Sequence, residues 1–120
     1  MTVEEFFTAL DAIEEAQYDL DYTHSFKKGI RACSKSNLDL TLLLAAIAFL
    51  VQNGYLEQVY SPHQLKGFPR KNNKKVMECH ISPDWLLVWV QDDLNLTMIL
   101  FDTGTHSYLF NSKQLRKKKI

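Results

Sequence analysis

Hydrophobic residues recur along the first third of the chain at helical spacing. Val3, Phe6, Phe7, Leu10 and Ile13 share one side of a helix over residues 2–16. Thr2 and Glu5 have the spacing of a capping box at its start. Residues 18–22, Tyr-Asp-Leu-Asp-Tyr, alternate with period two and predict a strand. A second helix is predicted near residues 25–34, with Phe26, Ile30 and Cys33 on one side and Lys27, Lys28 and Arg31 largely elsewhere. Asn37 is a suitable N-cap for a third, strongly apolar helix that stops at Asn53-Gly54. Two neighbouring helices with a short connection predict an antiparallel helical hairpin.

The period changes after residue 54. Residues 55–73, with Pro62, Gly67, Pro69 and Asn72-Asn73, read as loop. Three strands are predicted next, over 75–81, 85–91 and 94–101, with turns at Ser82-Pro83 and Asp92-Asp93. Turns this short force antiparallel pairing. The expected fold class is α+β: a helical hairpin packed on one face of a small antiparallel sheet, plus an extra N-terminal helix. The longest apolar run, Leu42–Val51, is ten residues. A membrane span needs about twenty, so that run reads as a buried helix face. The N-terminus is acidic where a signal peptide would be basic, and two cysteines in unlike segments make no disulfide framework. A cytoplasmic location and no membrane partner are expected.

Charge adds an asymmetry. Residues 1–17 hold five of the 14 acidic residues (Glu4, Glu5, Asp11, Glu14, Glu15) and none of the 14 basic ones, so that segment is −5 and the rest +5. This divides the chain into an acidic amphipathic helix (1–17), a main domain (18–111) and a basic tail (112–120). Arg70, Lys71, Lys74 and Lys75 form one basic group; Lys113, Arg116, Lys117, Lys118 and Lys119 form another. Such groups suit a phosphate backbone, as they suit a solvated loop and tail.

Strand phase sorts the candidate chemistry. Met77, Cys79 and Ile81 form the core-facing set of the first meander strand, which leaves Glu78 and His80 side by side on the other face. An acid and an imidazole so placed can share a proton. Cys79 points inward, which favours a buried thiol over a nucleophile. Asp84 follows at the turn. His106 and Phe110 are four residues apart and project together if a helical turn forms there. His63 lies in the preceding loop, close to Lys66.

Four segments carry a resemblance. They are Tyr22-Thr-His-Ser-Phe-Lys-Lys28, His63-Gln-Leu-Lys-Gly67, Glu78-Cys-His-Ile-Ser-Pro-Asp-Trp-Leu-Leu-Val-Trp89 and Gly104-Thr-His-Ser-Tyr-Leu-Phe110. In this order they resemble the YafQ-type toxins of the RelE/ParE superfamily, type II toxin–antitoxin mRNA interferases, over residues 18 to about 111. The resemblance implies a metal-independent, ribosome-dependent endoribonuclease with no cofactor, and a cognate antitoxin, the ribosome and mRNA as partners. It places His63, His80, Asp84, His106 and Phe110 at functional positions, with Glu78 where an acid is found. The 2′-hydroxyl would serve as internal nucleophile, with one group taking its proton and another protonating the leaving 5′-oxygen. His80 and His106 are the expected pair, with base and acid unassigned. His63 is expected to contact phosphate or act as a second acid, and Phe110 to stack on a base. Lys66, Arg70, Lys71, Lys74 and Lys75 are the expected RNA contacts.

The chain departs from that pattern in three places. Its loop at 68–75 is longer, Met77 stands where the family often has Arg, and the N-terminal helix is additional. Three alternatives stand beside the nuclease: a superfamily member acting on a protein such as gyrase, a decayed toxin, and a zinc hydrolase built on His63, His80, His106 and Asp84.

Overall fold

The computed structural model describes residues 1–67 and 74–111. The elements in chain order are α1 (Val3–Asp11), β1 (Asp19–Tyr22), α2 (His24–Lys35), α3 (Leu40–Asn53), β2 (His63–Gln64), β3 (Lys74–Ser82), β4 (Trp85–Asp92) and β5 (Thr97–Gly104). A 3₁₀ turn spans Gln58–Tyr60 and a π turn spans Ser107–Asn111. The expected α+β class holds. The five strands lie in the order β1-β5-β4-β3-β2. All pairings are antiparallel except β1 with β5, which runs parallel from Asp19↔Thr97 to Tyr22↔Leu100.

The capping box forms as its spacing predicts, with Glu5 N donating to Thr2 Oγ1 and Thr2 N to Glu5 Oε1. The helix stops at Asp11 instead of 16. Glu14 and Glu15 would place like charge against the negative end of the helix dipole, and no basic residue offsets them. Asn37 is not the N-cap of α3. Its φ is +60°, and it closes α2 in a Schellman turn, with Leu38 N bonding Cys33 O and Asn37 N bonding Ser34 O. Asp39 caps α3 instead, accepting from Thr41 N at 3.0 Å. Gly54, at φ +82°, ends that helix as expected.

β5 begins three residues later than expected. Asp92 Oδ1 accepts from the backbone of Leu94 and Asn95, which holds 92–95 in a turn. Between the β1 entry and the end of α3 lies a part-buried polar network. Tyr18 Oη and Gln91 Nε2 both donate to Asp93 Oδ1 at 2.7 Å, and Gln91 also donates to the Gly54 carbonyl.

The main core lies between the helices and one sheet face. Phe6, Phe26, Ile30, Leu43, Ile47, Leu50, Cys79, Leu87, Trp89 and Leu100 are all buried there. α2 approaches β5 so closely that a Cβ on Gly29 would run into the Thr103 carbonyl oxygen. The opposite face of the sheet is covered too, which strand phase alone does not reveal. Val76, Leu86, Val88, Val90, Phe101 and Leu109 build a second, smaller core on it, with Phe110 packed at its margin. No helix among the described residues is long and apolar enough to cross a membrane.

α1 belongs to the main core, with Phe6 0% exposed and Leu10 3% exposed. The Phe6 and Phe7 rings pack against Tyr22 and Phe26 at centroid distances of 5.1–6.3 Å. Phe6→Ala is therefore expected to cost about 3–5 kcal/mol of stability, measured by denaturant unfolding. A cost below about 1 kcal/mol would show that α1 is only loosely attached.

Candidate active site

Sheet register makes the first pair. His63 on β2 lies directly opposite Glu78 on β3, where side chains of an antiparallel ladder meet. His63 Nε2 is 3.1 Å from Glu78 Oε1, and His63 Nδ1 is 2.9 Å from the Ser61 carbonyl oxygen. A carbonyl only accepts, so Nδ1 carries a proton. One more proton then lies between Nε2 and Oε1. On nitrogen it gives imidazolium and carboxylate; on oxygen it gives neutral imidazole and carboxylic acid. Both ring nitrogens are thus engaged. Glu78 is only 5% exposed, and its Oε2 has no hydrogen-bond partner among the described residues. Val76 and Val88 of the second core explain that burial, and it fits Glu78 to hold an imidazole more than to meet a substrate.

His80 follows two residues along β3. Its Nδ1 lies 3.3 Å from the Pro83 carbonyl oxygen, so the neutral ring keeps its proton on Nδ1 and leaves the Nε2 lone pair free. His106 lies across the β3–β4 turn. Its backbone N–H donates to Asp84 Oδ1 at 3.3 Å, and its Nδ1 is 3.7 Å from the same oxygen. His106 and Asp84 are both well exposed. An exposed pair contributes little to stability.

The three rings form a row. Centroids are 6.5 Å apart from His63 to His80, 6.2 Å from His80 to His106, and 5.5 Å from His106 to Phe110. The expected residues His63, Glu78, His80, Asp84, His106 and Phe110 are all in this group. Phe110 is half-buried and does two jobs, packing on the second core and flanking His106.

The expected phosphate contacts are placed less favourably. Lys75 is bonded to Asp93 at 3.1 Å. It sits five residues before His80 on the same strand, roughly 16 Å away along it. Lys74 neighbours it, exposed, and neither joins the row. Lys66 is exposed in the turn after β2. Arg70, Lys71 and the basic tail lie outside the described residues. Met77 packs on the main core, as its strand phase predicts.

A family model described as "Bacterial toxin of type II toxin-antitoxin system, YafQ" matches residues 18–111. The chain belongs to this family. It is 30% identical over 96 residues to the mRNA interferase toxin YafQ of Escherichia coli K12, covering 78% of this chain and 97% of that protein. It is also similar to the toxin in the crystal structure of the E. coli DinJ–YafQ toxin–antitoxin complex, with a TM-score of 0.68 at 28% identity over 78% of this chain and 98% of that one. The crystal structure of a metal-bound toxin from Helicobacter pylori gives a TM-score of 0.66 at 32% identity, over 78% and 99%.

In this YafQ-family chain the sequence reading missed the backbone atoms that set the imidazoles, the carbonyls of Ser61 and Pro83. Ser61 itself has a left-handed backbone, φ +47° and ψ +50°. A serine in that region costs about 1–2 kcal/mol, and such strain concentrates at functional sites. Pro62, next to a histidine, was the available signal. Among the described residues, no three His, Cys, Asp or Glu side chains converge as a metal site would require.

The cysteines are inert by environment. Burial pushes the Cys79 thiol up to about 12, with the Glu78 carboxylate adding to it, and burial pushes Cys33 up to about 11. Neither thiol is expected to react with a disulfide reagent at pH 8 in the native protein. Both should react on unfolding; rapid native labelling of Cys79 would contradict its placement.

Proposed function

We propose that this chain is the toxin of a type II toxin–antitoxin pair and that it cleaves mRNA on the ribosome, by metal-free general acid–base catalysis between His80 and His106. The observation that carries this reading is the row of imidazoles. Two of them stand 6.2 Å apart, too far to bond one another and suitably spaced to reach one phosphodiester from two sides.

The tautomers suggest roles. His80, with Nδ1 tied to the Pro83 carbonyl, presents Nε2 as the base that takes the proton of the 2′-hydroxyl. The 2′-oxygen attacks the adjacent phosphorus. The bond from phosphorus to the 5′-oxygen breaks, and that oxygen takes a proton from His106 Nε2. Asp84, 3.7 Å from Nδ1, orients the His106 ring for this step. The products are a 2′,3′-cyclic phosphate and a 5′-hydroxyl. The His63–Glu78 pair contributes position beside the phosphorane.

A polyanionic partner is supported by α2. His24, Lys28, Arg31 and Lys35 are exposed at helical spacing along one side, and that helix contains no acidic residue. This stripe is proposed to meet ribosomal RNA. The cognate antitoxin is proposed by analogy with the E. coli relative crystallised with DinJ.

His80→Ala and His106→Ala are each expected to lower mRNA cleavage about 100-fold or more in a translating extract, with unchanged thermal melting. Retained cleavage in both would remove this mechanism. Wild-type cleavage should persist in a chelator that strips transition metals; loss restored by added metal would instead favour the metal-dependent alternative. No cleavage at all, with growth inhibition intact, would favour a protein target. Charge reversal at Lys28 and Arg31 should weaken ribosome association and steepen its loss with salt less than in wild type.

A further inference from the structure

His80 belongs to a second feature besides the row. A cavity of about 430 Å³ opens beside it, lined by Val59, Ser61, His80, Ile81, Ser82 and Pro83. None of these is a carboxylate. Val59, on the 3₁₀ turn, is 81% exposed. It belongs to neither core and is the most exposed large hydrophobic among the described residues. Val59, Ile81 and Pro83 supply apolar wall, while Ser61 and Ser82 carry hydroxyls that both donate and accept. Flat apolar contact with a few hydrogen-bonding edges is what an unstacked nucleobase requires.

We propose that this cavity is a nucleobase subsite and that it reads the nucleotide on the 5′ side of the cut. The proposal rests on the nuclease reading above. If His80 removes the 2′-hydroxyl proton, the nucleotide bearing that hydroxyl lies beside His80, and its base has the cavity within reach. His106 serves the leaving 5′-oxygen, so the nucleotide on the 3′ side lies toward His106 and the neighbouring Phe110 ring, 5.5 Å from it. The two base platforms therefore flank the row, one for each side of the scissile bond. Ser61 ties the cavity to catalysis. The same residue lines the cavity and bonds His63 through its carbonyl, so the turn that shapes base recognition also sets an imidazole.

The test is to map cleavage sites across many mRNAs in a translating extract for wild type, Val59→Ala and Val59→Phe, with thermal melting as a control for folding. Val59 is so exposed that neither substitution should unfold the chain. The phenyl ring adds a stacking face, and base–aromatic stacking is strong enough to change relative cleavage rates about tenfold. Val59→Phe is expected to shift the preference at the nucleotide immediately upstream of the cut by about that factor. Val59→Ala should flatten that preference, and the downstream preference should stay unchanged in both. Identical upstream profiles in all three proteins would overturn the subsite while leaving the nuclease intact. A shift confined to the downstream nucleotide would overturn it too. Equal loss of cleavage in every context, with normal melting, would assign Val59 to catalytic geometry instead of base reading. A wild type that cuts no mRNA would overturn the nuclease reading, and the subsite with it.

Discussion

Every residue of β4, from Trp85 to Asp92, is buried, and most of the architecture follows from that. A strand buried at both parities needs an apolar cover on each face. The helices supply one cover over Leu87 and Trp89. Phe101 and Leu109 supply the other over Leu86 and Val88. The second cover decides the site. Leu109 is 0% exposed, and anchoring it holds the turn from Thr105 to Asn111 against the sheet. His106 and Phe110 stand on that turn. The histidine row is therefore assembled by a packing requirement of the central strand.

The same cover explains the chemistry of Glu78. Its neighbours Val76 and Val88 belong to the second core, so the carboxylate is drawn out of water. A buried carboxylate needs a partner. The short β2 pairing brings His63 opposite it and provides one. His63 in return is held at both nitrogens. His80 has one ring nitrogen tied, to the Pro83 carbonyl, and His106 is held through its backbone N–H to Asp84. Three chemically identical side chains thus differ in what holds each ring.

Much of this was legible in the sequence. The apolar periods placed all three helices, and the Thr2–Glu5 spacing gave the capping box. Strand phase correctly separated Glu78 and His80 from Met77, Cys79 and Ile81. It said which face those residues share, but not that a second core covers part of that face, so the burial of Glu78 was out of reach. Asn37 misled because asparagine suits both helix ends; only the backbone shows that its φ of +60° closes α2. β2 has two residues, too few for any period, and the His63↔Glu78 register depends on it entirely. Lys75 looked available because charge runs in sequence do not reveal partners across a strand; Asp93 binds it.

The N-terminal helix can be placed by the same two-face logic. Its Phe6 and Leu10 lie in the core on the helix side of the sheet, whereas Glu78 and His80 project from the other side. An acidic helix seated there cannot lie over the row without abandoning the burial that holds it. Its negative charge acts on the basic body from a distance, in water, where charge interactions at physiological salt decay over about 8 Å. Self-inhibition through this segment would require losing the packing of two buried aromatic and aliphatic anchors to gain contacts that are solvated and screened. The burial of Phe6 outweighs that gain, so the helix acts as part of the scaffold and leaves the row uncovered.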